Sequence, residues 1–165
     1  MAEFRRQRML SCMNLGSICN RDVVIATPAE TLRDAGRSMI EHNVGSVVVC
    51  EDRDGARRPI GILTDRDLMI ALLGDGAAAA LIAIGDAMTR DPLVLHDDEA
   101  IEDAAERLRA HAVRRAPVVD ARGALVGIVA IDDLIDLLAE ELDGISRLIK
   151  RQLRARSPDA PRVRT

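Results

Sequence analysis

The segment Gly61-Ile62-Leu63-Thr64-Asp65-Arg66-Asp67 carries the clearest structural signal in the chain. The apolar residues up to Leu63 predict a strand. Thr64, followed three residues later by Asp67, resembles a capping box, in which a hydroxyl and a carboxylate pair with the free N–H groups at the start of a helix. The segment therefore predicts a strand that leads directly into a helix, with both polar side chains at the junction.

A related segment, Gly127-Ile128-Val129-Ala130-Ile131-Asp132-Asp133, follows 66 residues later. Upstream of both segments the chain matches itself at an offset of 69, and a connecting loop that is three residues longer after Glu51 explains the difference. The matches at this offset pair Gly16 with Gly85, Arg21-Asp22 with Arg90-Asp91, His42 with His111 and Val44 with Val113. Such self-similarity in one register indicates a tandem duplication.

Each copy predicts the order strand, helix, strand, strand, helix. One copy of under about 60 residues buries too little surface to be stable alone, so we expect the copies to pack against each other by pseudo-twofold symmetry in a mixed α/β (α+β) fold. The predicted boundaries are an N-terminal arm at 1–13, a first repeat at 14–73, a Gly/Ala-rich linker at 74–83, a second repeat at 84–140, a helical extension at 141–156 and a disordered basic tail at 157–165.

The composition excludes several classes of function. With one Phe, no Tyr and no Trp, the chain lacks the aromatic side chains on which single-stranded nucleic acids stack. Residues 1–146 carry a net charge of −10, which disfavours DNA binding, whereas residues 147–165 carry +6. We therefore expect no nucleic acid as a partner. The alternative for the basic end is a tail that binds another partner.

Other patterns indicate a non-catalytic protein of the cytoplasm. Cys12, Cys19 and Cys50 show no Cys-x-x-Cys spacing, so neither a disulfide framework nor a zinc site is predicted. The three histidines do not cluster, and the single lysine lies outside any phosphate-loop motif. No signal-peptide core is present, and the longest apolar run is too short to cross a membrane. We expect no catalytic residue, no metal and no membrane association.

The motifs and their order resemble a tandem pair of CBS domains, the regulatory Bateman module, over about residues 14–140. The resemblance rests on the duplicated order of elements, on Gly61 to Asp67 above all, and on Arg115-Ala116-Pro117-Val118-Val119-Asp120. It implies an adenosine-containing ligand between the repeats, such as AMP, ADP, ATP, S-adenosylmethionine or NAD, none of them a required cofactor. Ligand occupancy would then control an attached or partner protein.

The resemblance assigns a phosphate-side role to Thr64 and a ribose role to Asp67. Both roles are physically sensible, because a helix start attracts phosphate and a carboxylate can accept hydrogen bonds from two ribose hydroxyls. Taken alone, however, the four residues from Thr64 to Asp67 need only cap their helix. The further ligand-binding residues that the resemblance implies are Ala26, Thr27, Gly45, Ser46, Val47, Gly61, Ile62, Arg66, Arg114, Arg115 and Asp133.

The two copies differ where the ligand is expected. Ala130 replaces Thr64, so the second copy loses a donor worth about 1 kcal/mol. Asp132 and Asp133 together would repel a polyphosphate, and we expect unequal sites with the first-copy motif the better one. Because successive strand residues face opposite sides, only one of Arg114 and Arg115 should reach the cleft. The alternative is that both are exposed and balance nearby glutamates.

A last helix starts near Asp132 and continues past the second repeat, although Gly144 weakens it. The apolar stripe along it consists of Leu134, Leu138, Leu142 (or Glu141), Ile145, Leu148, Ile149 and Leu153. Because an apolar stripe outside a finished core needs a partner surface, we expect a homodimer, with a membrane-lying helix as the alternative. The leading hypothesis is a stand-alone nucleotide sensor. Its alternatives are a scaffold with degenerate clefts and a regulatory subunit of a separately encoded enzyme or transporter.

Overall fold

The structure is a computed structural model that describes residues 14–155, so the predicted N-terminal arm and basic tail lie outside the described residues. The chain divides into two units, residues 1–131 and 132–165. The elements are α1 (Leu15–Ile18), β1 (Ile25–Ala26), α2 (Leu32–Glu41), β2 (Ser46–Arg53), β3 (Ala56–Thr64), α3 (Asp65–Asp75), a 3₁₀ helix (Gly76–Leu81), α4 (Ile84–Ala87), β4 (Thr89–Arg90), β5 (Leu95–His96), α5 (Ile101–Ala110), β6 (Arg115–Val119), β7 (Leu125–Ala130) and α6 (Ile131–Ala155).

The mixed α/β fold with two repeats is confirmed. The first sheet has the strand order β1-β2-β3-β4 and the second has β5-β6-β7. In each sheet the first strand runs parallel to the second, and the second and third form an antiparallel hairpin. This is the duplicated strand, helix, strand, strand, helix order that the sequence predicts.

The first hairpin is longer than predicted, since most of the expected loop at 52–59 is strand. The turn consists of Asp54 and Gly55, both with positive φ (56° and 72°). An Asp-Gly pair in this conformation closes a two-residue hairpin, so the flanking residues continue the ladder. The opening strands β1 and β5 have only two residues each.

The two copies exchange the segments that precede their first strands. Asn20, from the start of the first copy, donates to and accepts from the backbone of Ile128 in the second sheet, each at 2.9 Å. In the equivalent position, β4 from the start of the second copy pairs with β3 of the first sheet. The predicted repeat boundaries place each leading segment in the copy that follows it. In the structure, each one extends the sheet of the other copy.

The exchange of segments explains why residues 61 and 127 are glycines. A Cβ built on Gly127 would lie 2.5 Å from Cys19 Sγ and 2.9 Å from the carbonyl oxygen of Asn20. A Cβ on Gly61 would overlap Met88 Sδ in the equivalent place. Glycine at both positions therefore leaves room for the crossing segment. This packing explains the glycine at position 61 without a ligand base next to it.

The core of the first repeat includes side chains from the exchanged segment. Ile84 and Met88 pack among residues of β1, α2, β2 and β3. The 3₁₀ helix, which the sequence suggests to be a linker, also contributes, since Ala79 is fully buried. The buried cluster consists of Ala26, Leu32, Ala35, Met39, Val47, Val49, Leu63, Ile84 and Met88.

We expect Gly127→Ala to lower the free energy of unfolding by about 1–3 kcal/mol, because the new methyl group overlaps backbone of the crossing segment. Gly74→Ala is the matched control, since nothing lies within 4 Å of a Cβ at that helical position. The control should be neutral or slightly stabilising. Urea denaturation followed by circular dichroism measures both. Equal stability of the two variants would contradict a tight crossing at Gly127.

Candidate functional site

Thr64 and Asp67 form the capping box that the sequence predicts. The Thr64 hydroxyl accepts the Asp67 backbone N–H at 3.3 Å and donates to Asp67 Oδ2 at 2.7 Å. The Thr64 backbone N–H donates to the same carboxylate oxygen at 2.8 Å. Both residues are partly buried, and strand β3 holds them in place because it is buried from Gly61 to Leu63. The hydroxyl and the carboxylate are thus fixed together at the start of α3.

A second capping box with the same geometry lies at the start of α2. Thr31 Oγ1 donates to Asp34 Oδ2 at 2.6 Å and accepts the Asp34 N–H at 3.3 Å. The hydrogen bonds from the Thr31 side chain and backbone lower the pKa of Asp34 from its ordinary value. Thr31 to Asp34 has the same Thr-x-x-Asp signal as Thr64 to Asp67, so this cap was missed although the sequence contains its signal. Capping geometry alone therefore does not identify a ligand site.

What distinguishes the α3 start is a cation from the other copy. Arg115 Nη1 donates to Ser46 Oγ at 2.9 Å, although the two residues are 69 positions apart. They occupy equivalent positions in the two copies. Ser46 is the one buried polar residue among those described, with 7% of its surface exposed. The sequence predicts that one of the two arginines reaches the cleft, and Arg115 contacts Ser46 of the first copy.

Gly45 connects this cation to the helix start. Its carbonyl oxygen accepts the backbone N–H of Asp65, the first residue of α3, at 3.1 Å. A Cβ built on Gly45 would lie 3.4 Å from both Arg115 Nη1 and Asp65 Oδ2. The bare backbone at Gly45 therefore leaves room for a guanidinium and a carboxylate side by side. The structure brings together Gly45, Ser46, Asp65 and Arg115.

Arg114 has a different environment. Its side chain is exposed, and its carbonyl oxygen accepts the Ile131 N–H at 2.8 Å, the counterpart of the Gly45 to Asp65 bond. Glu106, which the alternative interpretation pairs with these arginines, instead forms an ion pair with Arg109 at 3.1 Å.

Several other candidate residues lie in the core or on the surface. Ala26 and Val47 are buried, with 3% and 0% of their surface exposed, so neither side chain is open to a ligand. Thr27 is exposed, and both its hydroxyl and its N–H donate to Glu30 Oε1 at 2.9 Å. Ile62 is 9% exposed, and Arg66 is an exposed residue of the first turn of α3.

The second-copy motif has the features expected from its sequence. Ala130 ends β7, and Asp132 and Asp133 are the acidic residues of the first turn of α6. A hydroxyl is missing at the position equivalent to Thr64, so the capping box of the first copy is not reproduced at this residue. Asp133 belongs to the second unit of the chain.

A groove of about 600 Å³ opens beside the α3 start. Gly45 and Asp65 line one end of it, whereas Thr64 and Asp67 do not line it. The remaining wall is mostly apolar and comes from α2 and α3, including Met39, Ile40, Leu68 and Met69. Its volume lies within the range of small-molecule sites.

Metal-binding clusters, thiols and membrane-spanning helices were sought among the described residues. Between residues 14 and 155, no three His, Cys, Asp or Glu side chains gather as a metal site. Burial raises the pKa of Cys19, and it raises the pKa of Cys50 to about 11, so both thiols stay protonated and poorly nucleophilic at neutral pH. Within the same residues, no helix is both long and apolar enough to cross a membrane.

Comparison with known proteins identifies the fold and the family. The model of the CBS domain matches residues 15–74 and 84–140. An uncharacterised protein of Methanopyrus kandleri is 32% identical over 125 residues, which cover 76% of this chain and 62% of that relative. Hypoxic response protein 1 of Mycobacterium tuberculosis is 36% identical over 124 residues, which cover 74% of this chain and 83% of that protein.

Among solved structures, CBSX2 of Arabidopsis thaliana in complex with AMP superimposes with a TM-score of 0.65 at 28% identity. The match covers 78% of this chain and 97% of that one. Two family matches in tandem account for most of the described residues, and the structure gives them the same duplicated topology. The chain therefore belongs to the CBS domain family, of which it holds a pair.

Proposed function

We propose that this CBS pair is a regulatory module that binds an adenosine-containing ligand at the start of α3. The observation that carries the proposal is the approach of Arg115, from the second copy, to the helix that bears Thr64 and Asp67. A phosphate that meets both a helix start and a guanidinium gains from the helix dipole and from charge-assisted hydrogen bonds. The complex of CBSX2 with AMP supports the choice of ligand class.

The side chains suggest how such a ligand would be held. Asp67 uses Oδ2 for its cap, so Oδ1 can accept a ribose hydroxyl. The Arg115 guanidinium can exchange its bond with Ser46 for one with a phosphate. Asp65 and Asp67 oppose the positive charges of Arg66 and Arg115, so the neighbourhood is close to neutral and favours one phosphate over several.

The effect of ligand binding would be transmitted to a partner protein through a change in the contact between the two copies. When Arg115 leaves Ser46 for a phosphate, one hydrogen bond between the two copies is replaced by a bond to the ligand. Regulation then requires that two packings of the copies differ in affinity for the ligand. We assign no catalytic role to any residue. The free, buried Cys19 and Cys50 suit a reducing compartment, and we propose the cytoplasm.

A homodimer is part of the proposal. Apolar side chains that belong to α2, α3 and the 3₁₀ helix are exposed to a degree that a monomer rarely shows. The similarity to Bateman modules implies that two chains join as a disc of four repeats. The exposed residues are Ile40 (82%), Met69, Ile70, Leu72, Leu73 (80%) and Leu81.

A scaffold without a ligand is the second candidate. Ala130 favours it because the second copy lacks the hydroxyl, and the Thr31 capping box favours it because the same geometry there serves α2 alone. A regulatory subunit of a separately encoded enzyme or transporter would share this fold and differ only in its partner, which pull-down from source cells would identify.

Calorimetric titration with AMP separates the sensor from the scaffold. Asp67→Ala should weaken AMP binding by at least about tenfold, since a hydrogen bond to a charged group is lost. Asp34→Ala is the matched control, because it removes the same kind of cap from α2, and it should leave AMP affinity unchanged. If the parent protein shows neither heat nor a shift in Tm with AMP, ATP, S-adenosylmethionine or NAD, the scaffold is favoured.

The two copies should contribute unequally. We expect Asp67→Ala to weaken AMP binding more than Asp133→Ala does, because only Asp67 is oriented by a threonine hydroxyl. Calorimetry of both variants gives the comparison. Equal losses would show that the two motifs bind alike and would contradict the asymmetry.

We expect Arg115 to bind the phosphate group of AMP and to make no contact with its adenosine part. Arg115→Ala is expected to reduce affinity for AMP by about tenfold, which is the typical effect of losing one charge-assisted hydrogen bond. Affinity for adenosine should remain almost unchanged. Arg114→Ala, at the exposed neighbouring position, is the control. Equal losses for AMP and adenosine would mean that Arg115 supports the fold and does not bind phosphate.

A further inference from the structure

The two copies differ at one contact between their first helix and their first strand. In the second copy, Arg107 of α5 extends to the chain just before β5 and donates from Nη1 to Glu99 Oε1. Its Nη2 donates to the carbonyl oxygen of Val94 at 2.9 Å. The Glu99 side chain is only 17% exposed, so this guanidinium pairs with a largely buried carboxylate. One arginine thus connects α5 to the chain that enters the second sheet.

The first copy has a pocket where the second copy has this arginine. Ser38 takes the place of Arg107 at the offset of 69 that relates the copies. Ser38 lines a pocket of about 700 Å³, and so does Ile25, the equivalent of Val94. The replacement of a long side chain by a short one therefore accounts for open space at this position.

The carboxylate that binds Arg107 has a counterpart in the first copy. Glu30 is equivalent to Glu99 and is half-buried like it. Each accepts, on Oε1, the backbone N–H three residues earlier, which is Thr27 in the first copy and His96 in the second, at 2.9 Å. The Thr27 hydroxyl also donates to Oε1 of Glu30, so Oε2 is the atom that can accept from a further donor. The same backbone bond therefore holds Glu30 in the position that Glu99 has beside Arg107.

The second acceptor is retained as well. Ile25 belongs to β1, the edge strand of the first sheet. The Val48 N–H donates to the carbonyl oxygen of Val24 at 2.9 Å, so the carbonyl of Val24 points towards β2. Because carbonyl groups alternate in direction along a strand, the carbonyl of Ile25 points to the open edge. A carbonyl oxygen is therefore available at the position where Val94 binds Arg107.

We propose that the pocket beside Ser38 binds a guanidinium group that another molecule carries on an aliphatic stem. The guanidinium would donate to Glu30 and to the carbonyl oxygen of Ile25, as Arg107 does at the equivalent atoms. A guanidinium suits this pair of acceptors because it is planar and presents several N–H donors in a fixed fork. The charge of Glu30 makes one of these hydrogen bonds charge-assisted and therefore strong.

The wall of the pocket fits the stem of such a ligand. Val23, Val24 and Val44 line it, and aliphatic side chains can cover the methylene groups that carry a guanidinium. Asp22 and Arg57 also line it, and their opposite charges offset each other. Glu30 therefore supplies the charge that selects a cation over an anion.

This pocket is separate from the site proposed at the α3 start. Thr64, Asp65, Asp67 and Arg115 do not line it. The proposal therefore does not rest on the nucleotide, and binding of AMP and binding of a guanidinium can be measured independently on one protein.

Calorimetry of the full chain with two probes tests the pocket. Agmatine carries a guanidinium on a free aliphatic stem, and N-acetyl-arginine N-methylamide represents an arginine within a polypeptide. We expect at least one probe to bind the parent protein and Glu30→Gln to weaken that binding by about tenfold, since a charge-assisted hydrogen bond is lost. Ser38→Ala is the matched control, because it leaves the pocket open, and its affinity should equal that of the parent.

The Ser38→Arg variant should place a guanidinium of the chain itself in the pocket. We expect this variant to lose probe binding and to gain about 2–4 °C in Tm, as for one new charge-assisted hydrogen bond in a chain of this size. Probe binding that survives in Ser38→Arg would lie elsewhere and would contradict the proposal. If this variant does not fold, the comparison of Glu30→Gln with Ser38→Ala decides by itself.

The relative affinities of the probes decide the rest. Tighter binding of agmatine would indicate a small molecule, and tighter binding of the arginine amide would indicate a polypeptide partner. Putrescine, which has ammonium groups in place of the guanidinium, is expected to bind at least about tenfold more weakly, because it lacks the planar fork. Equal affinity for putrescine, or no binding of either guanidinium probe, would overturn the proposal.

Discussion

The exchange of leading segments holds the two copies together, and the rest of residues 14–131 depends on it. Two backbone hydrogen bonds join Asn20 to Ile128, and β4 joins β3 in the equivalent place. Each sheet thus gains an edge that its own copy does not supply. Because Ile84 and Met88 complete the core of the first repeat, that repeat is incomplete without the second. The duplication therefore folds as one body, as expected when each half is too small to be stable alone.

Because the two copies pack against each other, equivalent positions that carry different residues meet. The proposed site between them is therefore asymmetric. This packing sets position 46 of the first copy against position 115 of the second, and these are equivalent positions. Two serines there would leave the contact uncharged, and two arginines would repel each other without a ligand. A serine opposite an arginine provides one hydrogen bond and one positive charge, which suits the approach of an anion from one side. The divergence of the copies at this position therefore makes the proposed site asymmetric, with the positive charge on the side of the second copy.

The sequence predicts the order of elements well because each element has a local cause. Thr64 with Asp67 predicts a helix start, and the structure has one with the expected cap. The exchange could not be predicted, because an apolar stretch such as residues 15–19 favours burial without specifying which sheet edge it meets. Gly61 illustrates this limit, because the family resemblance implies that it contacts a ligand, whereas in the structure Met88 packs against it. The contact between Arg115 and Ser46 could not be predicted either, because it depends on how the two copies pack.

The capping box and the proposed ribose site at Asp67 are compatible, and the cap would strengthen binding there. A free carboxylate must lose rotational freedom when it binds a ligand, and this ordering opposes binding. At Asp67 the hydrogen bonds from Thr64 have already fixed Oδ2, so the ordering occurs when the chain folds. Asp34 is fixed in the same way by Thr31, and the cations that act on it, Arg37 and Arg33, belong to its own helix. Orientation of the carboxylate is thus common to both helices, and Arg115 from the other copy is what favours the α3 start as the proposed binding site.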